Sequence, residues 1–171
     1  MRFDVLQKMC FVLYMATPKP ISLIEWDEKN PSLHIEELGE LEEGVKQHFK
    51  LPYCYHAGSD TFCGCGYRNA SYQNGSWPEE EWQPDDYDAD GDMQAMHEKL
   101  VQLIRNELSA SDSVEFYGLW EDDLTQSPLS DQQIDLSRLT EKTFFFRDRG
   151  RYRIEHVEQA GSDQPPTRSV V

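Results

Sequence analysis

The sequence predicts an α+β fold, a mainly antiparallel sheet with two amphipathic helices packed on one face. Three observations point there. Short apolar or alternating runs bounded by proline and glycine recur along the chain, two stretches carry apolar residues at the spacing of a helix face, and a hairpin-like pattern closes the patterned part. At 171 residues the chain can bury one core without disulfides or metal. We place a single domain over residues 1–158, with an acidic irregular stretch at 68–92. Residues 159–171, proline-containing and without an apolar pattern, read as a disordered tail.

The elements follow in order. Residues 10–15 are an apolar run that reads as a buried strand, stopped by Pro18 and Pro20, which lack backbone donors. Residues 21–26 are a second short extended piece, and Leu33, His34 and Ile35 alternate like an edge strand after the Asn30-Pro31 turn. From 36 to 49, Leu38, Leu41, Val45 and Phe49 mark one side of a helix, weakened at Gly44. Residues 52–57 look like a strand, with Gly58, Ser59 and Asp60 turning the chain into a return strand over 62–67. A stripe of Met93, Met96, Leu100, Leu103, Ile104 and Leu108 predicts the second helix, with Asp90 or Asp92 as its cap. Residues 114–120 alternate as a strand with two usable faces, 127–139 read as a loop with a short helical turn, and 144–157 as a β-hairpin turning at Asp148 and Gly150.

Charge narrows the function classes. With 32 acids against 16 bases the net charge is -16, a field that repels nucleic-acid phosphates and anionic lipid. It favours basic protein partners or divalent cations. The stripe of Arg147, Arg149, Arg151 and Arg153 beside Phe146 and Tyr152 is the one nucleic-acid-like feature, and it reads more simply as a counterweight to the surrounding acids. The longest apolar run, residues 9–16, falls far short of the roughly 20 residues a spanning helix needs. Arg2 and Lys8 precede it as in a signal peptide, but so do Asp4 and Gln7, and no Ala-x-Ala-like cleavage site follows. Four cysteines in this length do not make a disulfide scaffold, so a reduced, cytoplasmic location is expected.

Three of those cysteines lie within residues 54–65, as Cys54-x-His56 and Cys63-x-Cys65. On a hairpin turning near Ser59 and Asp60, all four side chains would share a face and assemble a Cys3His zinc set. Same-face neighbours on a strand stand about 6.5–7 Å apart, whereas zinc sites favour the tight turn of a Cys-x2–4-Cys pair. A bulge at Gly64 or Gly66 would fold them inward. Three readings stay open: zinc, a strained Cys63–Cys65 disulfide, and inert buried thiols, with Cys10 on a neighbouring strand compatible with each.

The segments 52–59 and Cys63-Gly64-Cys65-Gly66-Tyr67, with Cys10-Phe11-Val12-Leu13-Tyr14, resemble a small family of uncharacterised bacterial proteins. The resemblance covers about the first 70 residues. It implies a bacterial source and no transferable activity.

Residues 79–92 hold eight acids and no base. Asp86, Asp88, Asp90, Gly91 and Met93 match positions one, three, five, six and eight of an EF-hand calcium loop, with Asp92 adding a carboxylate. Two departures stand against it: His97 occupies position twelve where a bidentate glutamate belongs, and Pro84 falls in the incoming helix. The plain alternative is a solvated acidic loop at a helix start. His97 itself lies on the stripe side of its helix and reads as a core residue.

No catalytic motif emerges, so the chain reads as a binding or interaction module rather than an enzyme. The one enzymatic route starts translation at Met9, which would expose Cys10 as an N-terminal nucleophile. Calcium at Asp86, Asp88, Asp90 and Asp92 is the leading site expectation. A thiolate site at Cys54, His56, Cys63 and Cys65, zinc-binding or redox, is its rival.

Overall fold

The computed structural model describes residues 10–69, 91–120 and 123–155, and of Asp92 only the backbone. The described residues form six strands: β1 Val12–Thr17, β2 His34–Glu37, β3 Tyr53–Gly58, β4 Ser113–Leu119, β5 Ser130–Asp135 and β6 Gly150–Glu155. They form a single sheet in the order β2-β3-β1-β4-β6-β5. Every adjacent pair runs antiparallel except β5 with β6. The mainly antiparallel α+β architecture expected from the sequence is therefore present.

Strand register divides the side chains between two faces. Leu13, Met15, Tyr55, Ala57, Val114, Phe116, Tyr152 and Ile154 point to one face and join its core cluster. Against them lies helix α1, Gly91–Leu108, which buries Met96, Leu100, Val101, Ile104 and Leu108 at helical spacing. Helix α2, Leu136–Thr140, adds Leu136 and Leu139 and is capped by the Asp135 carboxylate, which accepts from the Ser137 N–H at 2.8 Å.

The opposite face carries Tyr14, Tyr117 and Leu119, covered by Val45. Val45 comes from the predicted first helix, which forms a 3-10 helix over Glu40–His48 instead of an α-helix. Residues three apart align in a 3-10 turn, so Val45 and His48 point inward while Leu41 is 90% exposed. The two predicted helices thus lie on opposite faces rather than sharing one. Buried Glu115 fastens the end of this segment, accepting from the N–H groups of Lys50 at 2.8 Å and Leu51 at 3.2 Å.

Other expectations need correction. The return strand over 62–67 does not form, because both edges of β3 are already paired, to β1 and to β2. The chain makes a short 3-10 turn at Gly64–Gly66 instead. The hairpin over 144–157 is also absent: β6 pairs with β4 and β5, while Phe146 makes only an isolated bridge to Asn69. β5 falls where a loop was expected, and residues 21–26 contribute only the Ile24–Ile35 bridge. The expected tail at 159–171 lies outside the described residues.

Among the described residues, no helix is long and apolar enough to cross a membrane. The arginine stripe is tied to local partners. Arg149 donates to the Gln126 side chain, Arg151 to Asp131 and the His48 carbonyl, and Arg153 to Glu155 with Glu115 nearby.

Candidate functional site

Phe11 is the anchor from which the thiol site is built. Its ring is fully buried at the foot of β1 and lies so close over Gly118 that a Cβ there would stand 2.3 Å from Cζ. That fixes the backbone of residue 11. Its carbonyl accepts from the Gly64 N–H at 2.8 Å, and its N–H donates to the Cys65 sulfur at 3.2 Å. The glycine-flanked turn is thereby docked on the strand beside Cys10.

Ser59 closes the loop from within. Its hydroxyl donates to the Cys63 carbonyl at 2.6 Å and accepts from the Gly66 N–H at 2.9 Å, while its own N–H also donates to the Cys63 carbonyl at 2.7 Å. Gly66 is required here, since a Cβ would meet the Asp60 carboxylate at 2.1 Å. Tyr67 donates to the Gly58 carbonyl at 2.5 Å, and Asn69 donates to the carbonyls of Cys65 and Tyr67. Ser59→Ala leaves the buried Gly66 N–H without its acceptor, so it should lower unfolding free energy by about 1–3 kcal/mol. Urea unfolding reads this; an unchanged midpoint would mean the loop does not depend on that hydroxyl.

The result is convergence of three sulfurs. Cys10, Cys63 and Cys65 are all free, with sulfurs within 4.8 Å of one another. Hydrogen bonding from Cys65 is the largest influence on Cys63 and holds its thiol well below the usual range, outweighing burial, with Thr61 and Cys10 assisting. Cys65 is pushed up, first by that hydrogen bond and then by burial, and Cys10 is raised chiefly by burial. A thiol inclined to ionise, flanked by two others, is suited to bind a soft cation.

Of the four residues grouped from the sequence, the structure brings only Cys63 and Cys65 together. Cys54 and His56 sit on β3 opposite Ala16 and Tyr14 of β1. The Cys54 thiol points toward the Leu51 carbonyl at 3.8 Å and is raised by burial. The third sulfur comes from Cys10, whose neighbourhood depends on a pairing between residues 54 positions apart.

His56 belongs to a second group, with His34 and Glu36 of β2, whose ligand atoms also lie within 4.8 Å of one another. Burial lowers the His56 pKa. Sequence spacing pointed to His56 with the wrong companions; the alternation of His34 and Glu36 on an edge strand was the available signal for the right ones.

Of the calcium candidates, Asp86, Asp88 and Asp90 lie outside the described residues, as does the Asp92 side chain. α1 begins at Gly91. His97, at loop position twelve, turns into the core, where Nε2 donates to the Leu139 carbonyl at 2.9 Å. No family model matches the chain, and no curated protein or solved structure matches it.

Proposed function

We propose that this acidic protein is a thiolate metal-binding module whose Cys10, Cys63 and Cys65 take a soft cation, zinc foremost. The observation carrying this is the convergence of three free sulfurs within 4.8 Å. Points so spaced share a centre no more than about 2.8 Å from each, so small side-chain rotations reach the Zn–S bond of about 2.3 Å. Thiolates select zinc over hard cations, and three protein ligands leave a fourth position for water or an outside donor. The two backbone contacts at Phe11 hold the turn in place before any ion arrives. Metal binding would displace thiol protons, and Cys63 is already the readiest to lose its own.

Elemental analysis of protein purified without added metal, with a free-thiol count before and after chelation, tests the reading. One zinc per chain, lost in Cys63→Ser and Cys10→Ser but retained in Cys54→Ser, is expected. Protein that neither carries nor takes up zinc while all four thiols alkylate readily would overturn it. A chain lighter by two hydrogens, with two thiols missing and a peptide map linking Cys63 to Cys65, would replace zinc with the Cys63–Cys65 disulfide.

A further inference from the structure

The second cluster lies at the β2–β3 edge. His34 and Glu36 are alternate residues of β2 and share a face, and β3 sets His56 opposite Glu36 and Gly58 opposite His34. Gly58 is what admits the His34 ring: a Cβ there would stand 1.9 Å from the imidazole Cε1. Aromatic rings enclose the pair. Trp26 meets His34 edge-on at 4.9 Å, Phe62 stacks on it at 5.2 Å, and Tyr14 lies 5.8 Å from His56. Phe62 reaches that position with a φ of 69°, in the left-handed region that non-glycine residues rarely adopt.

His34 is fully buried, yet among the described residues its Nε2 has no hydrogen-bond partner, and neither does the buried Nε2 of His56. A buried polar atom is ordinarily paired, so two orphaned ring nitrogens in one cluster call for an occupant. The tautomer is also prepared. His34 Nδ1 lies 3.4 Å from the Ser32 carbonyl, so a proton held there leaves Nε2 with its lone pair free, as in imidazoles oriented for metal.

We propose that His34, Glu36 and His56 form a second cation site, separate from the thiolates, for a divalent first-row ion that accepts two imidazoles and a carboxylate. One ring nitrogen from each histidine and one carboxylate oxygen lie within 4.8 Å of one another. That donor set suits zinc, cobalt or ferrous iron and leaves coordination positions open. Glu36 is partly exposed and gives the ion its way in. The donors are nitrogen and oxygen, so the site differs in kind from the sulfur cluster and stands whether or not that cluster binds zinc.

Cobalt(II) is the probe, because sulfur-bound cobalt has an intense charge-transfer band that nitrogen- and oxygen-bound cobalt lacks. In a Cys10→Ser/Cys63→Ser/Cys65→Ser variant, one equivalent of cobalt should bind without that band and shift the ring-proton NMR signals of His34 and His56. Glu36→Gln and His56→Gln should each weaken this binding at least about tenfold, with circular dichroism confirming the fold. Should the triple variant not fold, the same cobalt is read in the unaltered protein as an equivalent that adds no sulfur band. Cobalt that binds only with the sulfur band, or whose nitrogen-type binding is indifferent to Glu36→Gln and His56→Gln, would overturn the proposal.

Discussion

Phe146→Ala should destabilise the protein by about 3–5 kcal/mol, the range for emptying a fully buried aromatic position. Phe146 has no exposed surface, and its ring meets Phe144 at 5.1 Å, Tyr152 at 5.5 Å, Phe116 at 5.8 Å and His97 at 5.9 Å. Those partners come from a loop, two strands and α1, so little local movement can refill the space. The Phe146 N–H, which alanine keeps, donates to the Arg68 carbonyl at 3.0 Å and fastens the segment after the thiol turn to the core, so the variant reads the loss of the ring alone. A loss below about 1 kcal/mol in denaturant unfolding would mean the aromatic cluster is not packed as described.

Acidification should cost the fold about 3 kcal/mol through His97 alone. Burial is the main cause that lowers its pKa from 6.5 to about 4, and Arg68 adds to it against the opposing Leu139 carbonyl and Glu98. The folded value lies below the unfolded one. Stability from the neutral ring is therefore complete above pH 6.5 and drains away as pH falls toward 4, at about 1.36 kcal/mol per pH unit. Carboxylates add slopes of their own, so the measurement is a difference. His97→Gln keeps a donor for the Leu139 carbonyl but cannot titrate. Its stability should fall less steeply than the wild type's between pH 6.5 and 4, and parallel curves would show that His97 protonates without penalty.

Where a residue's role depended on its near neighbours, the sequence was readable. β1, β3, β4 and α1 follow from apolar runs and a helical stripe, because burying those side chains admits few alternatives. β5 was hidden because Ser-Asp-Gln-Gln-Ile-Asp has no apolar alternation; an edge strand with one neighbour needs little. Phe144, Phe145 and Phe146 looked like a strand because they are apolar, yet all three are buried from a loop and its single bridge. Turn residues at 58–60 promised a hairpin, but pairing is decided by which edges are free, and β3 had none.

The metal candidates divide in the same way. Cys63 and Cys65 were visible as a local pair. Cys10 joins them only because Phe11 is pinned over Gly118, which requires β1 and β4 to be in register first. His34 and His56 meet through pairing between strands about twenty residues apart. No spacing rule reports such a contact.

The place of β1 has a consequence for how the chain comes into being. It lies between β3 and β4, and its partner Glu115 is about a hundred residues downstream of Ala16. During synthesis, β1, β2 and β3 emerge before the strand that pairs with the other flank of β1, since β4 clears the ribosome only later. A nascent chain stalled before that point offers an apolar, hydrogen-bond-hungry ribbon to its neighbours. Truncation upstream of Ser113 should accordingly yield inclusion bodies rather than a smaller soluble protein.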